Sequence, residues 1–197
     1  MKIGIDFDNT IANYEGVFHA AALELGLIDA SVGTTKNEVR DHLNGSGRKD
    51  VFTELQGTVY GSRMDLANVY DGFLQWVQGA RNAGHALYIV SHKTRYPMLG
   101  ARHDMHNAAR GFLQAHGIAS ADMIAAENIF FEETKEAKAD RAASLGVSMF
   151  VDDLPGILDM PQFAGMQRVL FDPANAFVGR EDIPHQRVGG WADIAIP

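Results

Sequence analysis

The chain contains no cysteine, so disulfides, thiolate zinc sites and a cysteine nucleophile are excluded at once. No stretch approaches the ~18 consecutive apolar residues of a membrane-spanning helix. Basic residues are the minority, 17 Lys and Arg against 25 Asp and Glu, for a formal net charge of −8. Without a block of Lys and Arg, that balance argues against nucleic acid held through its phosphates. A small phosphorylated ligand stays open, because one metal ion and one lysine can reverse the field inside a single cleft. Internal repeats and low-complexity tracts are also missing. Met1 to Ile5 run straight into a strand-like pattern, leaving no room for the apolar region of a signal peptide. The expectation is a cytoplasmic protein with no membrane and no nucleic-acid partner.

What is present is ordinary for a globular protein: 197 residues, 46% hydrophobic and 21% charged, enough for a core and an insertion. Short apolar runs alternate with longer helical patterns, which predicts an α/β fold with a parallel sheet. Strands are expected at Lys2 to Phe7, Ala86 to Ser91, Asn128 to Phe131, Ser148 to Asp152 and Arg168 to Phe171. Helices are expected at Asn68 to Ala83, His103 to His116 and Thr134 to Leu145, the last stopped by Gly146. After Phe171 the chain is rich in Pro and Gly and is expected to be irregular. Residues 13–65 break the rhythm. They hold amphipathic runs around a polar, Gly-rich passage (Asn44-Gly45-Ser46-Gly47) and no strong strand, which predicts a helical insertion.

Three strand ends carry the chemistry. In Asp6-Phe7-Asp8-Asn9-Thr10, two carboxylates at i and i+2 stand at the end of the first strand, where open α/β sheets bind ligands. Such charges repel and raise each other's pKa; a divalent cation relieves this, and oxygen ligands suit magnesium. The plain alternative is an exposed acidic turn with Asn9 and Thr10 as caps. Ser91 closes the strand Leu87-Tyr88-Ile89-Val90-Ser91, placing a hydroxyl where it can hold a phosphate oxygen with help from loop N–H groups. His92 follows it and can offer its backbone N–H. Phe150-Val151-Asp152-Asp153-Leu154-Pro155 again puts acidic residues after an apolar strand. Lys138, near the start of the preceding helix, can bring an ammonium beside these carboxylates, and Lys135, one turn earlier, competes for that place.

In this order, Asp-x-Asp-x-Thr, strand-Ser, Lys and strand-Asp-Asp resemble the haloacid dehalogenase (HAD) superfamily of aspartate-based phosphatases, from Met1 to about Asp172. The resemblance implies a Rossmann-like parallel sheet of about five strands with a small α-helical cap inserted after the first. It implies an HAD-like core at residues 1–12 and 66–197 and a cap at 13–65. It implies Asp6 as nucleophile, forming an aspartyl-phosphate, and Asp8 as general acid and base. Thr10 would support the loop. Ser91 and Lys138 would bind the phosphoryl group. Magnesium would be held by Asp6, the Asp8 backbone carbonyl and Asp152, with Asp153 acting through water or by orienting its neighbour. An Asp at position 8 favours phosphate esters, since carbon–halogen and phosphonate cleavage need no such acid.

The implied activity is magnesium-dependent hydrolysis of a small phosphate monoester such as a sugar phosphate or nucleoside monophosphate. Cap residues Arg40, Arg48, Lys49 and Arg63 are candidates to meet the substrate, as are Arg95 and Tyr96 after Ser91; each also reads as a solvated surface group. His103 and His106 lack further ligands for a metal site, and Phe73, Trp76 and Val77 read as core. A phosphomutase or phosphotransferase on the same scaffold, or a non-enzymatic phosphoryl receiver, is the alternative. Receivers place their acidic pair after the first strand and the phosphorylated Asp after the third, an order this chain does not follow.

Overall fold

A computed structural model describes all residues, 1–197. Six parallel strands form its sheet: β1 (Lys2–Ile5), β2 (Ala86–His92), β3 (Ile129–Glu132), β4 (Met149–Asp152), β5 (Gln167–Phe171) and β6 (Gln186–Val188). Helices lie at α1 (Val17–Glu24), α2 (Lys36–Gly45), α3 (Lys49–Tyr60), α4 (Phe73–Asn82), α5 (Met105–Ala115), α6 (Lys135–Ser144) and α7 (Pro155–Leu158). None is long and apolar enough to cross a membrane.

The chain divides into two compact units, each described here by itself. The first comprises residues 1–12, 69–93 and 116–197 and holds the whole sheet. Its strand order is β3-β2-β1-β4-β5-β6, a doubly wound order whose direction reverses at β1. The central strands read as near-continuous apolar runs because both faces are covered. Ile3, Ile5, Ile89, Val90, Phe150, Val151, Val169 and Leu170 are all fully buried. β1 lies so close to β4 that a Cβ on Gly4 would stand 2.5 Å from the Phe150 ring. Glycine at position 4 is a packing requirement.

Three differences from the sequence reading concern this unit. The sheet has six strands, since Gln186–Val188 pairs with β5 (Val169 with Gln186, Phe171 with Val188). The segment after Phe171 is therefore not wholly irregular. Trp191, fully buried, packs its ring 4.8 Å from Phe73, 5.0 Å from Trp76 and 5.5 Å from Phe171. The helix expected from Asn68 starts only at Phe73, after Gly72 in a left-handed turn (φ 82°). The first strand ends at Ile5 rather than Phe7, although the Asp6 N–H still donates to Val151 O at 2.9 Å.

The second unit comprises residues 13–68 and 94–115. It is helical, and besides 13–68 it takes in 94–115, which the sequence reading left with the sheet. The reason is close packing on α3. A Cβ on Gly57 would fall 2.6 Å from Pro97, and one on Gly61 would fall 2.4 Å from His103. Gly57 on α3 and Gly61 just past its end leave room for the 94–104 loop. Phe18, Val39, Leu43, Phe52, Leu55 and Val59 form its core, with Phe18 stacked on Phe52 at 5.9 Å. At the start of α2, Thr35 Oγ1 accepts from the Glu38 N–H while Glu38 returns a carboxylate to the Thr35 N–H, which satisfies two orphan donors of the first turn.

Candidate active site

The site lies in the first unit, at the carboxyl ends of β1, β2 and β4. β1 and β4 are adjacent, with Ile5 opposite Val151, so Asp6 and Asp152 emerge side by side one residue further on. This is the switch point of the sheet, where ligands bind in open α/β folds. On the other side of β1, Ile5 is opposite Ile89, which brings Ser91 to the same edge.

Asp6 is nearly buried and Asp152 wholly so. Ser91 Oγ donates to Asp6 Oδ1 at 2.9 Å. Lys138 Nζ donates to the same oxygen at 2.5 Å and to Asp152 Oδ2 at 2.5 Å. Both bonds to Asp6 use Oδ1. Asp152 Oδ1 accepts from the Leu154 N–H at 2.9 Å, which fixes its carboxylate. α6 presents Lys138 because Thr134 caps the helix, its hydroxyl accepting from the Ala137 N–H at 3.0 Å. Lys138 then faces inward with Ala139 and Ala142, while Lys135 is exposed. The structure thus brings Lys138, not Lys135, to the carboxylates.

One oxygen each of Asp6, Asp152 and Asp153 lie within 4.8 Å of one another. Burial, opposed by Lys138 and reinforced by the charge of Asp152, pushes the Asp6 carboxyl up to about 6. Burial, then Asp152 and Asp6, hold Asp153 well above the usual carboxylate range. Burial alone would depress the Lys138 ammonium, but Asp152 and Asp6 outweigh it and raise its pKa. His92 is half-buried at the end of β2, and burial followed by the charge of Lys138 lowers its pKa.

Asp8 stands apart from the carboxylate cluster. Both its oxygens accept from Lys93 Nζ, at 2.9 and 2.8 Å. The Asp8 carboxylate is not among the three that converge. The loop carrying it is tight: the Ile11 and Ala12 N–H groups both donate to Phe7 O, and Asn9 adopts φ 57°, a region Asn tolerates better than most residues. Thr10 is fully buried; its carbonyl accepts from Trp191 Nε1 at 3.0 Å and its hydroxyl has no partner.

Lys93 was missed in the sequence reading. It sits two residues past Ser91, and nothing in Ser91-His92-Lys93-Thr94-Arg95 distinguishes it from a solvated loop lysine. Several other candidates are occupied elsewhere. Arg40 bonds Asn37 and Asp41, Arg48 bonds Leu27 O, and Arg63 pairs with Glu24 and Asp65. Lys49 is exposed, Arg95 pairs with Asp104, and no metal-binding group forms around His103 and His106.

The donor set fits a hard divalent cation. All converging ligands are carboxylate oxygens, which magnesium prefers. Four carboxylates (Asp6, Asp8, Asp152, Asp153) face two buried ammoniums, Lys93 and Lys138, leaving an excess of two negative charges.

Compared by sequence, the chain matches no family model and no curated protein. Compared by structure, it superposes on an HAD hydrolase, family IA, variant 3, from Entamoeba histolytica. That match has a TM-score of 0.62 and 12% identity, covering 99% of this chain and 95% of the other. The chain has the haloacid dehalogenase fold. A predicted phosphoglycolate phosphatase from Haemophilus somnus aligns with a TM-score of 0.58 at 17% identity, covering 97% and 94%. A structure described as a dehalogenase aligns at 0.54 with 13% identity, covering 97% and 93%. HAD-fold proteins thus include different chemistries, and the site must distinguish them.

Proposed function

We infer that this chain is an HAD-superfamily phosphohydrolase that cleaves a small phosphate monoester with magnesium. The observation carrying this reading is the buried Asp6, held through Oδ1 by Ser91 and Lys138 while Asp152 and Asp153 converge beside it. An Asp two residues on, with its own lysine, favours phosphate esters over carbon–halogen bonds, because an alkoxide leaving group needs a proton.

In the proposed reaction, Asp6 Oδ2 forms a bond to phosphorus while the ester P–O bond breaks and Asp8 protonates the leaving oxygen. Asp8 then takes a proton from water as that water attacks phosphorus, releasing phosphate and restoring Asp6. Splitting hydrolysis into two steps is covalent catalysis, and the proton transfers typically contribute ~10²–10⁴-fold. Ser91 and Lys138 hold the phosphoryl oxygens and the Asp6 carboxylate in line, an electrostatic task set before the substrate arrives. Asp6, Asp152, Asp153 and the Asp8 carbonyl would hold magnesium, which neutralises charge on the transferring phosphoryl group. The helical unit of residues 13–68 and 94–115 would act as the cap that selects the substrate.

Phosphate release from sugar phosphates, nucleoside monophosphates and p-nitrophenyl phosphate, with and without magnesium, tests the reading. Turnover is expected with magnesium and lost in Asp6→Asn. Isomerised product without free phosphate would instead identify a mutase, and release of halide from haloacids a dehalogenase.

A further inference from the structure

Lys93 has a placement that the reaction as written does not explain. Its side chain is 3% exposed, in a class of residue almost never buried unless paired. Its backbone N–H donates to Glu132 O at 2.8 Å, fixing the residue just past the end of β2. From there its Nζ lies 5.5 Å from the centre of the Phe7 ring and bonds both oxygens of Asp8. Phe7, fully buried, is itself wedged edge-on against Phe131 at 5.6 Å. The lysine therefore rests on the core of the sheet and reaches up to the one carboxylate outside the Asp6–Asp152–Asp153 group.

We propose that Lys93 is a positioning residue for leaving-group protonation: it pins the Asp8 carboxyl so that one oxygen faces the departing ester oxygen. An aspartate on a loop turns freely about its last torsion, and a proton donor misplaced by about an ångström loses ~10²-fold. Two hydrogen bonds from one buried ammonium remove that freedom. When Asp8 carries the proton, its carbonyl oxygen keeps one bond to Lys93 while its O–H donates to the leaving oxygen. Lys138 bonds Asp6 and Asp152, while Lys93 bonds both oxygens of Asp8. The two lysines thus divide the site, one for phosphorus and one for the proton. This inference rests on the phosphohydrolase reading.

Leaving-group dependence tests it. The parameter kcat/KM reports the steps up to departure of the leaving group, and p-nitrophenolate departs without a proton whereas an alkoxide does not. Lys93→Met keeps the stem against Phe7 and removes the ammonium. On the best alkyl phosphate of the panel, kcat/KM should fall ~10-fold or more, against a change of less than ~3-fold on p-nitrophenyl phosphate. Lys93→Arg, which keeps the charge, should fold even where Lys93→Met does not and show the same selective loss in smaller measure. Equal losses on both esters, in whichever variant folds, would overturn the proposal. A wild-type protein that hydrolyses neither ester would overturn the phosphohydrolase reading and this inference with it.

Discussion

Lys138 reaches Asp6 across 132 residues of sequence, its ammonium 2.5 Å from Oδ1. The same nitrogen bonds Asp152, so one buried cation separates two buried anions. Removing it leaves both carboxylates uncompensated in the interior, a change that typically costs about 3–5 kcal/mol. Lys138→Met should lower the denaturant midpoint accordingly and abolish turnover. Lys135→Ala, which removes an exposed side chain, should leave stability nearly unchanged and lower turnover modestly at most. Equal effects from the two variants would refute the assignment.

Proton linkage gives a second expectation. Burial, opposed by Lys138 and reinforced by Asp152, raises Asp6 to about 6 from an ordinary value of 3.8, and burial with the charges of Asp152 and Asp6 raises Asp153 as well. A carboxyl raised in the folded state binds more protons there than in the unfolded chain. Stability is therefore lost as pH rises through the folded pKa. Without metal, the melting temperature should fall from pH 5 to 7.5, and Asp6→Asn should flatten that slope. Magnesium competes with the protons, so the rise in melting temperature it produces should grow over the same interval. A magnesium effect of equal size at both pH values would count against these ligands.

Gly4 supports the site from below. Adding a Cβ drives it to 2.5 Å and 2.6 Å from two atoms of the Phe150 ring, which is itself fixed at 4.8 Å from Phe163. Gly4→Ala should destabilise the protein by about 1–3 kcal/mol, as overpacking of a full core does. Urea denaturation measures this directly, and an unchanged midpoint would show that the strands can move apart.

Trp191 tethers the loop carrying Asp8 through its bond to Thr10 O. Trp191→Phe keeps most of the aromatic contacts and leaves a buried carbonyl unpaired, a loss of about 1–3 kcal/mol. Turnover should fall more than stability alone explains, because the loop carrying Asp8 loses its anchor. Activity that simply follows the folded fraction would refute this tether.

Most of the sheet was legible because buried parallel strands are apolar runs: Lys2–Ile5 and Met149–Asp152 announce themselves, the first followed at once by Asp6 and the second ending on Asp152. Lys138 was legible as a candidate from its spacing to Asp152, though only burial separates it from Lys135. The sixth strand was not, since Gln186 and Arg187 are exposed and only Val188 is buried. A three-residue edge strand carries too little pattern to read. Residues 94–115 were misplaced because they pack on Gly57 of α3 and Gly61 just past it, and such glycines do not announce what they admit. Lys93 was invisible for a similar reason: its partner lies 85 residues away, and local polarity gives no sign of burial.

The most direct measurement is chemical capture of the acyl phosphate. Enzyme quenched in acid during turnover and reduced with borohydride would have any aspartyl-phosphate converted to homoserine, which peptide mass spectrometry locates. Homoserine at position 6, dependent on substrate and magnesium and absent from Asp6→Asn, is the expected result. Sustained phosphate release with homoserine at another position, or with none at all, would contradict a nucleophilic Asp6.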